Sequence, residues 1–140
     1  MRNKKEKINH NKPYVSIVIA ARNESENISR LLTSLVNQTY PVNLYEIIVA
    51  DDDSIDNTAE IVKTFSDKWN NVKLIQVKGR KEANSPKKNA LTQAIETSKG
   101  EVLLSTDADC IVGKYWIESM VTNFNDNEMI IGFSRTKISD

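Results

Sequence analysis

The 140-residue chain has the length of a single domain, and its 39% hydrophobic and 27% charged residues are ordinary for a soluble globular fold. Its 19 lysine and arginine residues equal its 19 aspartate and glutamate residues, so it lacks the positive charge excess of a nucleic-acid-binding domain. The longest apolar runs have about seven residues, far short of the roughly 20 that cross a bilayer, so we expect no transmembrane helix. The single cysteine cannot form an internal disulfide, which favours a reducing compartment.

The chain is predicted to contain a short leader followed by one domain. Residues 1–13 are polar and basic and end at Pro13, which is typical of a flexible arm. The apolar and β-branched runs begin at residue 14. We therefore expect a flexible basic leader over 1–13 and a folded domain over 14–140.

The predicted elements of the domain alternate between strands and helices. Continuous β-branched runs of strand length predict buried strands, and apolar residues at helical spacing predict amphipathic helices. In chain order they are a strand at 14–21, a helix with apolar residues from Ile28 to Val36, a strand at 46–50, a helix with apolar residues from Ala59 to Trp69, a strand at 72–77, a helix that begins at Pro86 and is ended by Gly100, a strand at 101–106, a helix at 114–125 and a strand at 129–134. This order predicts an α/β fold with a mostly parallel sheet and helices on both faces.

Polar residues mark where these elements begin and end. Short polar side chains accept hydrogen bonds from the free N–H groups at a helix start, so we expect Asn23 or Ser25 to cap the first helix. By the same argument, Asp56 or Asn57 caps the second helix. The strand at 72–77 alternates apolar and polar residues more than the earlier strands, which favours a place nearer a sheet edge.

The strand at 101–106 runs directly into Asp107-Ala108-Asp109. In open α/β sheets, ligands bind just outside the carboxyl ends of the strands. Two carboxylates this close repel each other unless a cation lies between them, and Mg²⁺ or Mn²⁺ commonly binds such carboxylates together with substrate phosphates. The tripeptide therefore predicts a metal held against a phosphorylated ligand. The alternative interpretation is a solvated acidic turn, because aspartate is common in turns.

Further charged clusters follow the first and second strands and open the third helix. They are Arg22-Asn23-Glu24, the acidic run 51–56, and the pair Lys87 and Lys88. The ends of strands one, two and four can converge on one crevice, where acids for a metal and a base for phosphate predict a nucleotide diphosphate. Helix capping is the alternative interpretation for Asp56, and a solvated helix face is the alternative for the two lysines.

These motifs together resemble the start of family 2 glycosyltransferases, which have the GT-A fold. The matching segments stand in that family's order and spacing, at 15–24, 47–58, 86–91 and 100–109. Each motif is modest alone, but four in the right order are specific, and the likeness covers about residues 14 to 125. The resemblance implies a Rossmann-like, nucleotide-sugar-binding half, which we expect to be truncated at its C-terminal side.

The resemblance also implies roles for individual residues. Asp107 and Asp109 would hold Mg²⁺ or Mn²⁺ on the diphosphate, with Asp109 as the direct metal ligand, and Lys87 would lie near the nucleotide. The residues implied in binding the base and ribose are Ala20, Arg22, Glu24, Asp51 and Asp52.

The implied reaction is an inverting, metal-dependent transfer of a sugar from a nucleotide-diphosphate sugar. The donor is most often a UDP-sugar in this family, and the acceptor is a carbohydrate or lipid-linked hydroxyl in polysaccharide, glycolipid or glycoprotein synthesis. Such a transfer requires a general base, and neither Glu118 in an amphipathic helix nor Glu128 in a turn suits that role. We therefore expect the 140 residues alone to be inactive.

The implied location is cytoplasmic, at the cytoplasmic face of the membrane if a longer protein is anchored there. Any contact with the membrane would come through regions outside this chain, and we expect no nucleic-acid partner.

The sequence departs from the family pattern at four positions. Tyrosine is commoner at the position of Arg22, glycine at those of Asp53 and Pro86, and asparagine at that of Thr92. Base stacking at Arg22 and the shape of the turn at Asp53 are the features that these departures affect.

Other functions stay open at this point. One is a non-catalytic module that binds a nucleotide sugar without transferring it. Another is a nucleotidyltransferase, but those enzymes usually have a Gly-rich loop after the first strand, and residues 22–25 contain no glycine. A receiver domain would need an aspartate at the end of its third strand, where Val77-Lys78-Gly79 offers none.

Overall fold

The computed structural model describes residues 12–79 and 85–123, together with the backbone of 131–134. Most of the predicted leader lies outside these residues, and so do the end of the helix expected at 114–125 and the start of the strand expected at 129–134. The separation of a leader from a domain at residue 14 stays a prediction.

Strands and helices alternate through the described residues as the sequence predicts. The strands are β1 (Val15–Ala21), β2 (Tyr45–Asp51), β3 (Val72–Gln76), β4 (Val102–Thr106) and β5 (Ile131–Ser134). The helices are α1 (Ile28–Val36), α2 (Thr58–Lys68), α3 (Pro86–Thr97) and α4 (Trp116–Thr122), with a 3₁₀ turn at Val42–Leu44. None of the described helices has the length and hydropathy that a membrane span requires.

The five strands form one parallel sheet in the order β3-β2-β1-β4-β5. β1 is the central strand, and its apolar residues except Ala20 are almost completely buried. β3 lies at an edge, which confirms the prediction from its alternating sequence. This order places the carboxyl ends of β2, β1 and β4 side by side, because neighbouring strands are only about 4.8 Å apart.

Helices cover both faces of the sheet. On one face, Ile17 and Ile19 of β1 belong to a core that includes Leu31 and Leu35 of α1 and Ile117 of α4. The other face carries a smaller cluster, formed by Val18, Ile48, Ala50, Ala90 and Ala94. The last two residues belong to α3, so this helix packs against the opposite side of the sheet from α1. The predicted α/β fold with helices on both faces is confirmed.

The first helix begins later than expected, and the predicted caps are wrong for it. The N-cap of α1 is Asn27, whose side chain makes no capping hydrogen bond. The backbone oxygen of Glu24 accepts hydrogen bonds from the N–H groups of Asn27 and Ile28 instead. Asn23 Oδ1 accepts a hydrogen bond from the Ile55 N–H, and the Ser25 N–H donates to Asp56 Oδ2, so both residues are tied to the loop that follows β2.

The predicted role of Gly100 as the end of the third helix is also wrong. The helix α3 ends at Thr97 with Ser98 as its C-cap. Gly100 lies against β1 instead, where a Cβ atom would come within 2.5 Å of both the backbone nitrogen and the Oγ of Ser16. Glycine is required there because no larger residue fits beside that strand.

A completely buried carboxylate, Glu46, joins four parts of the fold at the amino end of the sheet. Its Oε2 accepts hydrogen bonds from the Ser16 hydroxyl at 2.6 Å and from the Lys99 N–H at 2.8 Å. Its Oε1 accepts one from the Lys73 ammonium at 2.9 Å. The Gly100 N–H donates to Ser16 Oγ at 2.7 Å. β1, β2, β3 and the turn before β4 are thereby held together by one side chain.

The charge of Glu46 is stabilised by these donors. Burial alone would raise the pKa of Glu46, but the hydrogen bonds from Ser16, Lys73 and the Lys99 N–H outweigh it, and the pKa lies below its ordinary value. A carboxylate with a lowered pKa contributes stability above its unfolded pKa, and that stability is lost as the pH falls through the folded value.

We predict that Glu46→Gln lowers the free energy of unfolding by about 2 kcal/mol at pH 7, because it removes charge-assisted hydrogen bonds from a buried site. The difference from the wild type should shrink as the pH falls towards the folded pKa of Glu46. Urea denaturation at pH 7 and near pH 3 measures both effects. Glu96→Gln, on the exposed face of α3, is the matched control and should be neutral. A variant at Glu46 as stable as this control would contradict the prediction.

Candidate functional site

One crevice of about 360 Å³ opens at the carboxyl edge of the sheet. It lies between the loop after β1, the end of β2, the start of α3 and the segment after β4. Its lining consists of Ala20, Ala21, Arg22, Glu24, Asp52, Pro86, Lys87, Ala90, Asp107, Ala108 and Asp109. In parallel sheets of this kind, ligands bind at this edge.

The crevice brings together the residues predicted for the site except Asp51 and Lys88, neither of which lines it. Asp51 ends β2, is almost completely buried, and accepts a hydrogen bond from the Ser54 hydroxyl at 2.5 Å. It shapes the loop behind the crevice and does not line it, so its predicted contact with the base or ribose has no support from this geometry.

Sequence reasoning overlooked several small or apolar lining residues. Ala21 and Ala108 neighbour predicted site residues in sequence. Pro86 and Ala90 are four positions apart on α3 and therefore share one helix face, and Pro86 occupies the first helical position as predicted. That helical spacing was the signal that could have identified Ala90 as a lining residue.

Three consecutive backbone N–H groups tie the loop after β1 to the loop after β2. Asn23 N–H donates to Ser54 Oγ at 2.9 Å, Glu24 N–H to Thr58 Oγ1 at 2.8 Å, and Ser25 N–H to Asp56 Oδ2 at 3.1 Å. The two loops form one wall of the crevice because of these bonds.

Of the two caps predicted for the second helix, Asn57 is the N-cap of α2 but its side chain makes no capping hydrogen bond, and Asp56 beside it supplies the acceptor. Its Oδ1 accepts hydrogen bonds from the Thr58 N–H at 3.0 Å and from the Thr58 hydroxyl at 2.5 Å, so it satisfies a donor at the start of α2. These bonds, led by the one from the Thr58 hydroxyl and joined by those from Ser25, lower the pKa of Asp56 to about 2.

Two residues of this wall have left-handed backbone conformations. The φ angle is +54° at Asn23 and +57° at Asp53. Asn23 uses its conformation, since its Oδ1 accepts a hydrogen bond from the Ile55 N–H at 2.9 Å. Asp53 is exposed, and its φ value explains why glycine is commoner at this position of the motif: glycine adopts such angles without steric cost.

Both cationic side chains of the crevice lie beside carboxylates. Lys87 Nζ is 2.6 Å from Asp107 Oδ1, and the two side chains are 60% and 39% exposed. Arg22 Nη1 is 3.9 Å from Asp52 Oδ2, where the arginine side chain is half exposed and that of Asp52 is 7% exposed. The first of these pairs joins a residue predicted for the metal to one predicted to lie near the nucleotide, and the second joins two residues predicted for the base and ribose.

The residues after β4 fit a hard divalent cation. One potential ligand atom from each of Asp107, Asp109 and Cys110 lies within 4.8 Å of the other two. The two carboxylates supply the oxygen donors that Mg²⁺ and Mn²⁺ prefer. Cys110 is buried, and burial together with the neighbouring aspartate charges raises the pKa of its thiol. The thiol remains protonated at neutral pH, as is typical of a cysteine that serves as a small packing residue.

A second recess of about 340 Å³ adjoins the crevice at Asp52 and is lined further by Asp53, Gln76, Val77 and Gly79. Its floor is the end of β3, which sequence reasoning did not assign to the site. The connection beyond β3 is held by α3, because Gln93 Nε2 donates to the Lys78 carbonyl at 2.8 Å and Asn89 Nδ2 donates to the Gly79 carbonyl at 3.0 Å. The recess enlarges the space available to a ligand on the β2 side.

Comparison with known proteins places this geometry in context. The profile of the family described as Glycosyl transferase family 2 matches residues 16–140. Glycosyltransferase AglE of Haloferax volcanii is 34% identical over 113 residues, which is 81% of this chain and 36% of that protein. The chain therefore spans about a third of the length of this relative.

Two solved structures share the arrangement of the chain. S. aureus TarS 1–349 in complex with UDP superposes with a TM-score of 0.68 at 29% identity, over 77% of this chain and 31% of the other. The mannosyltransferase PcManGT from Pyrobaculum calidifontis, in complex with GDP-Man and Mn²⁺, gives a TM-score of 0.62 at 27% identity, over 72% of this chain and 29% of the other.

We predict that Asp53→Gly is neutral or raises the free energy of unfolding by up to about 1 kcal/mol, because it relieves a left-handed backbone conformation at an exposed position. Asp53→Ala should lower that free energy by about 1 kcal/mol, because alanine tolerates this conformation less well than aspartate. Thermal or urea denaturation of the two variants measures the difference. Equal stability of the glycine and alanine variants would contradict the assigned backbone conformation.

We predict that Asp56 keeps its charge far below the usual range of aspartate and titrates at a pKa of about 2. Its contribution to stability should be complete above pH 4 and lost as the pH falls towards 2, since the folded state binds this proton less readily than the unfolded state. Carbon-detected NMR titration of the side-chain carboxyl group measures this pKa. In Thr58→Val, which removes the hydroxyl donor, the same signal should titrate at higher pH; an unchanged midpoint would exclude that donor as the main cause.

Proposed function

Because the chain belongs to glycosyltransferase family 2, we propose that its crevice binds a nucleotide-diphosphate sugar and that the whole protein transfers the sugar to an acceptor hydroxyl group. The family resemblance seen in the sequence is confirmed, and the fold is the GT-A fold of the superposed enzymes. The proposal concerns the donor site, since the chain spans only part of its relatives.

The observation that supports this proposal most directly is that charged side chains from four segments of the chain line one crevice. Arg22 and Asp52 lie on the β1–β2 side, while Lys87, Asp107 and Asp109 lie on the α3–β4 side. A nucleotide sugar needs both halves, because its diphosphate is anionic and its base and ribose present hydrogen-bonding groups. A solvated acidic turn by itself would supply carboxylates for a cation but no base for a phosphate.

We assign the diphosphate to the α3–β4 side of the crevice. Lys87 is the second residue of α3, at the positive end of the helix dipole, which favours a bound anion. Its ammonium group is a flexible donor that can reach a phosphate oxygen. Asp107 and Asp109 would hold Mg²⁺ or Mn²⁺, with Asp109 as the direct ligand, and the ion when bound would neutralise charge on the leaving diphosphate.

We assign the base and ribose to the β1–β2 side and its adjoining recess. Arg22 stands where tyrosine is commoner in the family, and its planar guanidinium group can stack on a base. Asp52 is positioned by the β1–β2 pairing, since its N–H donates to the Ala21 carbonyl at 2.9 Å. Glu24 is held by the Asn27 side chain, whose Nδ2 donates to its Oε1 at 3.1 Å. We propose a UDP-sugar as the donor, which the TarS complexes with UDP and UDP-GlcNAc support.

The acceptor hydroxyl requires a general base, and we propose that this base comes from outside the crevice as described here. Glu118 lies on α4, and its Oε2 is 3.7 Å from Lys12 Nζ. That ion pair is consistent with a surface role for Glu118. Glu128 lies outside the described residues. We also propose that the transfer of the sugar is inverting.

We predict that the 140-residue chain binds UDP more tightly when Mn²⁺ is present, and that Asp109→Asn weakens this metal-dependent binding by about tenfold or more, which corresponds to about 1.4 kcal/mol. The reason is the loss of a carboxylate from a cation shared with the diphosphate. Isothermal titration calorimetry with and without Mn²⁺ measures both effects. Asp67→Asn, on the exposed surface of α2, is the control and should bind as the wild type does.

Three results would be decisive. Binding of GDP in preference to UDP would keep the donor site and reassign the base. UDP binding with the same affinity in the presence and absence of Mn²⁺ would contradict the proposed role of Asp109 as a metal ligand. A folded chain that binds neither nucleotide would reject the donor site in these residues.

A further inference from the structure

In the shorter of the two ion pairs of the crevice, Lys87 binds Asp107, which is also a proposed ligand of the metal ion. Lys87 Nζ lies 2.6 Å from Asp107 Oδ1. Asp107 and Asp109 are the carboxylates of the metal cluster. A cation cannot approach this oxygen of Asp107 closely while the ammonium group is bound to it. The ammonium group therefore neutralises Asp107 in the same place where a divalent ion would neutralise it.

We propose that Lys87 and the divalent cation compete for Asp107, and that the diphosphate of the donor ends this competition by drawing Lys87 to itself. Lys87 is thereby the residue that couples binding of the cation to binding of the nucleotide. The competition is independent of the nucleotide, whereas the coupling rests on the proposed function.

The geometry gives Lys87 the freedom that this exchange requires. Its side chain is 60% exposed and that of Asp107 is 39% exposed, and ion pairs between exposed groups are weak. The lysine stem is flexible, and its backbone is anchored at the second position of α3, beside the crevice. The ammonium group can leave Asp107 without unfolding any element.

The positive charge of Lys87 determines the direction of the effects on cation binding. Without a nucleotide, Lys87 opposes the cation both by occupying Asp107 and by charge repulsion. With a nucleotide, the same charge faces the diphosphate and no longer opposes the cation. Coupling between two ligands is reciprocal, so each must raise the affinity for the other by the same factor.

Lys88 provides a matched control from the neighbouring position. It is an exposed lysine on the same helix, and it is not part of the crevice lining. Its removal changes the net charge by the same amount, so it reports any unspecific effect of charge on cation binding.

The test is a titration of the 140-residue chain with Mn²⁺ alone, in which the electron paramagnetic resonance signal of free Mn²⁺ is measured. The proteins are the wild type, Lys87→Met, Lys87→Arg and Lys88→Met, each confirmed to be folded by circular dichroism. We expect Lys87→Met to bind Mn²⁺ about three- to tenfold more tightly than the wild type, because a weak competitor is removed. Lys87→Arg retains the charge and should resemble the wild type, as should Lys88→Met.

The titrations are then repeated with saturating UDP, after subtraction of the complex that Mn²⁺ and UDP form without protein. The ratio of the Kd values for Mn²⁺ without and with UDP should be largest in the wild type and should fall severalfold in Lys87→Met. Equal or weaker Mn²⁺ binding by Lys87→Met in the absence of UDP would overturn the proposal, and so would equal tightening in Lys88→Met. Failure of every variant to bind UDP would reject the proposed function and the coupling, while the titration with Mn²⁺ alone still decides the competition.

Discussion

Repulsion among carboxylates at the carboxyl edge of the sheet is the constraint around which the crevice is built. The strand order places the ends of β2, β1 and β4 next to one another, so aspartates far apart in sequence become neighbours. Asp52 and Asp107 each lie beside a cationic side chain, and Asp51 accepts a hydrogen bond from Ser54. The fold supplies internal partners for charges that a bound cation would otherwise have to neutralise. A site of this kind can remain folded without a ligand and still attract one.

The wall of the crevice depends on backbone donors more than on particular side chains of the first loop. The N–H groups of residues 23–25 donate to the side chains of Ser54 and Asp56 in the loop after β2 and of Thr58 at the start of α2. The acidic run after β2 therefore serves both the site and the framework, because Asp52 lines the crevice while Asp56 accepts hydrogen bonds from the first residue of α2 and from the neighbouring loop. The helix α1 begins after this wall, at Ile28.

The opposite edge of the sheet matters for the site because it helps to set the register of β4. The Ser16 hydroxyl is shared between Glu46 and the Gly100 N–H, and the absence of a Cβ at Gly100 permits this close approach. β4 then pairs with β1 from Val102 onward and ends at Thr106, directly before Asp107. A shift at Gly100 would move Asp107 relative to Lys87. The buried carboxylate and the crevice are thus connected through one strand.

The sequence by itself determined the features that depend on local pattern. Strand-length apolar runs and helical spacing predicted the α/β order, the alternation at 72–77 predicted an edge strand, and Asp-x-Asp after an apolar run predicted a charged strand end. Pro86 at the start of a helix followed from its fixed φ angle. The position of the site at the carboxyl edge followed from the parallel order of the strands. These properties are set by residues close together in the chain.

Only the tertiary structure decided which polar groups become partners. Asn23 and Ser54 are 31 residues apart, and Lys87 and Asp107 are 20 apart, so their pairing depends on strand order and loop path. The same dependence turned Asp51 away from the crevice and buried Glu46, which no local pattern had marked. A polar side chain carries the same propensity whether it binds a ligand, caps a helix or joins two strands. The choice among these roles is made by the donors and acceptors that folding brings within about 3 Å.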